Sequence, residues 1–167
     1  MRMIWRYAAL ALIALGCTLS VSTYRFFGHT WDEPEHLAAG MQLLDRGQYS
    51  YDLQHPPLAR LAMAIGPYLA GARTFGEVGP SGEQEGRDLL YKSGNYDRIL
   101  TLARLGVLPF LVILLAATWA LVRHILGETT ALLATFFLTT TPVVLGHASV
   151  AALDVPADDG KIGRAHV

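Results

Sequence analysis

The sequence predicts an all-α integral membrane protein, and three observations carry that prediction. The chain is 52% hydrophobic and only 16% charged, whereas an ordinary soluble domain carries about 25% charged residues. The apolar residues are gathered into three stretches free of Asp, Glu, Lys and Arg, at about residues 7–24, 105–122 and 129–146. Each stretch is long enough for a hydrocarbon core of about 30 Å, which takes about 17–25 apolar helical residues. Backbone polar groups in lipid have to be satisfied within the segment, so helices are the expected form. The charges are nearly balanced, with 13 Lys+Arg against 14 Asp+Glu. That lacks the basic surplus of a nucleic-acid binder, and no nucleic-acid partner is expected. A single cysteine, Cys17, excludes an internal disulfide.

The first stretch is preceded by Arg2 and Arg6 and followed by Arg25. The positive n-region, apolar run and small residues also fit a cleaved signal peptide. Leu15 is large where processing wants a small residue, and two more apolar stretches follow, so an uncleaved anchor is the expected reading. The second stretch lies between Arg104 and Arg123, and charges this sharply placed favour spans over three buried helices of a soluble protein. Basic residues at the N-terminus and in the short 123–128 link put both on the cytoplasmic side by the positive-inside rule. Arg98 and Arg104 on the other flank run against that rule, but long loops translocate largely regardless of charge. The expected topology is therefore a multi-pass protein of the plasma (inner) membrane, its N-terminus cytoplasmic and loop 25–104 outside.

A loop of this length is too long for a passive connection. It also holds ten of the 14 acidic residues. Thr30-Trp31-Asp32-Glu33 has the spacing of a capping box. Pro34 is tolerated in a first turn. Leu37, Met41 and Leu44 share a side at i, i+4, i+7, so an amphipathic helix to about Arg46 is expected, with Gly47 as its C′ residue. QYSYDLQ, residues 48–54, reads as extended or turn-like. His55-Pro56-Pro57 breaks the chain. Residues 58–71 are apolar but short for a span, hence interfacial or re-entrant. Residues 76–95 are polar and glycine-rich and read as a flexible loop.

Three constellations could carry chemistry. Asp32, Glu33, Glu35 and His36 crowd the start of the loop helix. Carboxylates in a first turn complement the helix dipole, so ordinary capping competes with a general base or metal ligand. His55-Pro56-Pro57-Leu58-Ala59-Arg60 holds a histidine and an arginine at the ends of a rigid corner. The choice there is between a turn with Arg60 reaching to headgroups and an anion site, since the planar guanidinium suits phosphate. Asp154, the first acidic residue after the third stretch, either marks its end or belongs to a site.

Taken together, WDEPEHLAAGMQLL, QHPPLARLAMAIGPYL and TTTPVVLGHASVAALDVPA resemble, in order and spacing, the N-terminal part of bacterial family-39 glycosyltransferases. These are relatives of protein O-mannosyltransferases and of the lipid A aminoarabinose transferase. The resemblance covers roughly residues 5–157. It implies the N-terminal part of a GT-C fold, with three transmembrane helices plus amphipathic helices in a long outer loop. It also implies a polyprenyl-phosphate-linked sugar as donor and a protein, lipid or cell-wall glycan as acceptor at the outer membrane face. Asp32-Glu33 would be the catalytic acidic pair, with Asp32 the base. His55 and Arg60 would lie at the donor phosphate, with His36 and Asp154 as further site residues. Relatives often carry Glu before the HPP segment, where some bind a divalent metal. Here Gln54 stands there, a neutral amide, which puts a metal cofactor in doubt.

Residues 161–167, KIGRAHV, read as a translated short-read sequencing adapter, AAG ATC GGA AGA GCA CAC GTC. The expectation is that residues 1–160 begin a longer membrane domain and that this chain alone is inactive. A different class of function also fits the sequence: a small non-catalytic three-span protein of interaction or assembly.

Overall fold

The computed structural model describes residues 2–51, 55–75 and 81–150. Among them the regular elements are seven helices and no strand: α1 (Arg2–Thr23), α2 (Glu33–Arg46), α3 (Pro57–Leu69), α4 (Gly82–Lys92), α5 (Tyr96–Leu126), α6 (Glu128–Thr140) and α7 (Pro142–Ser149). By length and composition α1 and α5 can each cross a membrane, and the bent pair α6–α7 makes up to three.

The long helix α5 organises the molecule. Its 31 residues rise about 46 Å at 1.5 Å each, well beyond a hydrocarbon core of about 30 Å. The surplus is at its N-terminal end. There Ile99, Leu100 and Ala103 join a buried cluster with Leu37, Ala38 and Met41 of α2, Ala64 of α3 and Leu89 and Leu90 of α4. The rest of α5 packs against α1 and α6, with Leu115 buried beside Gly16 of α1. One helix thus belongs to both the membrane layer and the small helical unit that α2, α3 and α4 build on its end.

Several local expectations correspond to what is seen. Gly47 closes α2 in the left-handed region (φ 64°), its N–H bonding Leu43 O at 3.0 Å. The Thr30–Glu33 bond of a capping box is present, with Thr30 N–H donating to Glu33 Oε2 at 2.7 Å. The helix itself starts two residues later than that box implies, with Asp32 at the cap position. The short apolar segment after the prolines is α3. It buries Met63, Ala64 and Pro67 and leaves Leu58, Ile65 and Leu69 exposed.

Two expectations are corrected and one is extended. The helix that holds the second apolar stretch begins at Tyr96, ahead of the span expected from about residue 105, so Arg104 is inside it. Asn95 caps it, its side chain accepting from Arg98 N–H at 3.2 Å. The third apolar stretch is not a straight helix, because α6 and α7 meet at 59°. Pro142 has no N–H to donate and forces the preceding residue out of the helical region, and Thr141 accordingly sits at ψ 119°. Finally, part of the supposed flexible loop is α4. Ser81 caps it by accepting from Gln84 N–H at 3.2 Å. Glu83–Arg87 and Asp88–Lys92 ion pairs line its outer side at 2.6 Å and 2.7 Å, and Leu89 and Leu90 are buried on the other. Glycine-rich composition concealed an element that depends on docking those two leucines.

Three glycines let these helices approach. A Cβ on Gly40 of α2 would strike the Arg60 carbonyl of α3. One on Gly86 of α4 would strike the Pro34 carbonyl, and one on Gly106 of α5 the Ala62 carbonyl. Small residues at crossing points are how closely packed helices bring backbones together.

The segment after α3 is tied to the end of α2. Asp45 accepts from Thr74 Oγ1 at 2.7 Å and from Thr74 N at 3.1 Å, and Arg73 lies 3.7 Å away. The Thr74 hydroxyl above all, with its N–H and the nearby arginines, holds the Asp45 carboxyl below the usual carboxylate range. A lowered folded-state pKa stabilises above the unfolded value of about 3.9 and is lost as pH falls through the folded one. Asp45→Asn should therefore cost about 1 kcal/mol at neutral pH and flatten the acid limb of the stability profile. Unfolding in detergent micelles from pH 7 to pH 3 measures both.

Candidate functional site

The residues singled out in the loop, Glu35 apart, fall into two buried polar clusters and one exposed carboxylate; Glu35 is half-buried on α2, its Cγ beside Gly82 of α4. Glu33 and Arg104 make the first cluster. Both side chains are essentially without solvent contact. Arg104 Nε donates to Glu33 Oε1 at 2.8 Å and Nη2 to Oε2 at 2.9 Å, the two-pronged arrangement that fits guanidinium to carboxylate. The same guanidinium also reaches the carbonyls of Tyr24 (3.1 Å), Phe27 (2.9 Å) and Gly28 (2.8 Å). Tyr24 answers by donating its hydroxyl to Arg104 O at 3.3 Å. Next to this, His29 N–H donates to Tyr96 Oη at 2.8 Å. The whole connection between α1 and α2 is thereby folded onto the first turns of α5.

This separates the acidic pair. Glu33 is committed to Arg104 and Thr30, so its geometry is that of a clamp. Asp32, one residue earlier, is exposed and makes no side-chain cap to its own helix. It stands on a backbone that the clamp holds still.

The second cluster surrounds Arg60. Its side chain has 0% exposure, because Gly40 brings α2 directly over it. Nη1 donates to Tyr49 Oη at 2.8 Å, and Tyr49 in turn donates to His55 O at 2.8 Å. Nη2 faces His36 Nδ1 at 3.0 Å and His55 Nδ1 at 3.2 Å. A guanidinium has no acceptor, so both imidazoles receive through Nδ1 and carry their proton on Nε2. The two rings meet edge to face, 5.3 Å between centroids. The structure brings His55 and Arg60, the two ends of the proline corner, together with His36 from the other constellation. Arg60 is enclosed and acts on the histidines, and half-buried His55 is the member nearer solvent.

Sequence reasoning missed Arg104, taken for a mere flank of a span, and Tyr49, read only as part of an extended segment. The available signal for Arg104 was a guanidinium directly continuing an apolar helical run, where an ionisable group needs a named partner. Asp154, Gln54 and residues 161–167 lie outside the described residues. Among the described residues no group of three or more His, Cys, Asp or Glu side chains converges as a metal site would.

The fold and these clusters define a class: an all-α protein with apolar helices of membrane-crossing length and buried polar clusters where one of them leaves the apolar layer. The chain matches no protein-family model, no curated protein and no solved structure.

Proposed function

We propose that the chain is part of a membrane glycosyltransferase that moves a sugar from a polyprenyl-phosphate donor to a protein, lipid or glycan acceptor. The observation that carries this reading is the division of labour at the start of α2, where Glu33 is buried against Arg104 and Asp32 is exposed on the frame they make. The likeness of the loop motifs to family-39 transferases supplies the substrate class.

In this reading the acceptor hydroxyl attacks the anomeric carbon and its proton passes to Asp32. The bond from that carbon to the phosphate oxygen breaks, and the phosphate leaves with the electron pair. The positive charge of Arg60, transmitted through the His55 ring, stabilises the leaving phosphate, the kind of preorganised electrostatics that often dominates catalysis. One displacement inverts the anomeric configuration.

The test uses the protein encoded by the full gene, in native membranes, with lipid-linked sugars and a panel of acceptors. Asp32→Asn should lower transfer by about 10²- to 10⁴-fold, the usual contribution of general base catalysis, and leave the unfolding midpoint unchanged. Full activity in that variant would sink the assignment of Asp32. A product that keeps the donor's anomeric configuration would rule out the single displacement.

A further inference from the structure

The connection between α1 and α2 carries large apolar side chains with no cover. Phe26 is 83% exposed, Phe27 61% and Trp31 73%. An unstructured tail could show such values, but this segment is pinned. Arg104 holds the carbonyls of Tyr24, Phe27 and Gly28, and Tyr96 holds His29. With the backbone turned inward, the aromatic side chains are held outward.

Two helices independently place this segment in depth. α1 has 22 residues up to Thr23, a rise of about 33 Å. The part of α5 beyond Arg104 also spans about 22 residues, to Leu126, and rises by the same amount. Both lengths fit one hydrocarbon core of about 30 Å. The end of α1 and the level of Arg104 on α5 therefore mark the same boundary, and the guanidinium ties residues 24–28 to it. α3 lies at this level too, with Gly66 against Leu102 and Ala62 against Gly106. Its Leu58, Ile65 and Leu69 are exposed.

We propose that Phe26, Phe27 and Trp31 form a membrane-interface anchor that seats in the lipid headgroup layer. The occupant is the bilayer itself, because the surface continues directly from a helix of membrane-crossing length and composition. Aromatic rings favour that layer, with an apolar body toward lipid and, in tryptophan, an N–H toward water. Arg25 adjoins the segment, and the Arg87 guanidinium lies 5.7 Å from the Trp31 ring centroid, so cations flank the rings where lipid phosphates would be. The anchor sets the depth of Asp32, the next residue, at the headgroup layer. The anchor does not rest on the glycosyltransferase reading and holds or fails without it.

The test uses the full chain in nanodiscs of phosphatidylcholine and phosphatidylglycerol, with Trp5→Phe and Trp119→Phe leaving Trp31 as the sole tryptophan, excited selectively over tyrosine. Trp31 emission should shift to shorter wavelength than that of free indole. Lipids brominated near the headgroup end of the acyl chain should quench it about twofold more than lipids brominated near the methyl end, as for an interfacial ring. Phe26→Ser with Phe27→Ser should reduce that quenching, with helicity unchanged by circular dichroism. Water-like emission with full iodide access overturns the proposal. So does protection from iodide without quenching by any brominated lipid, which would mean that protein covers the patch.

Discussion

Glu33→Gln is expected to destabilise the protein by about 3–5 kcal/mol, the cost of breaking a buried ion pair from one side. The variant leaves the Arg104 charge buried opposite a neutral amide, with 0% side-chain exposure and no route to water. Arg104→Met should cost at least as much. It strands the Glu33 carboxylate and also removes the donors that serve the carbonyls of Tyr24, Phe27 and Gly28. The double variant Glu33→Leu, Arg104→Met tells the two contributions apart. It removes both charges, so the desolvation penalty disappears, yet the three carbonyls still lose hydrogen bonds worth about 1 kcal/mol each. It should therefore be more stable than Arg104→Met and less stable than the parent. Unfolding midpoints in detergent, with proteolysis of the α1–α2 connection as a local readout, measure the series. A Glu33→Gln protein within about 1 kcal/mol of the parent would contradict the buried pair.

The second large effect is expected at Gly40. In an exposed helix, replacing glycine by alanine stabilises by about 1 kcal/mol. Here the new Cβ would meet the carbonyl carbon and oxygen of Arg60. Those are backbone atoms and cannot rotate away, so overpacking of about 1–3 kcal/mol wins. The consequence is also local to the site, since α2 can relieve the clash only by moving off α3. That opens the 3.0 Å contact between His36 Nδ1 and Arg60. Gly40→Ala should thus lower the midpoint and move a histidine ¹⁵N resonance away from the Nε2–H tautomer. Gly47→Ala is the control. Its φ of 64° is strained for alanine, but nothing lies within 4 Å. It should cost about 1 kcal/mol or less and leave the histidines unchanged. Equal effects at the two positions would refute steric packing at Gly40.

Much of the architecture was legible from composition alone. The apolar runs announced α1, α5 and the α6–α7 pair, because transfer of side chains to an apolar layer is a local, additive property. The amphipathic spacing of Leu37, Met41 and Leu44 with Gly47 at the end announced α2. The bend at Pro142 was written in the sequence as well, since proline's missing N–H acts wherever it stands, and a count of apolar residues simply passed over it. α4 was not legible: its helix depends on burying Leu89 and Leu90 against partners far away in sequence.

At the site, the residue types were legible and their roles were not. Asp32 and Glu33 are neighbours with the same chemistry, and nothing in their spacing separates an exposed carboxylate from a buried one. Their difference comes from Arg104, 71 positions away. Arg60 carried a recognisable chemical signature for phosphate, yet Gly40 brings α2 down over it and the structure gives its charge to two histidines.

By itself the sequence determined an all-helical chain with apolar helices of membrane-crossing length and an acidic, proline-marked connection rich in reactive side chains. Only the tertiary structure decided which charges are paired, which are enclosed and which carboxylate is presented to solvent. The physical reason is range. Hydrophobicity, capping and proline geometry act within a few residues of the chain, whereas the cost of burying a charge is decided by whichever distant residue arrives to neutralise it.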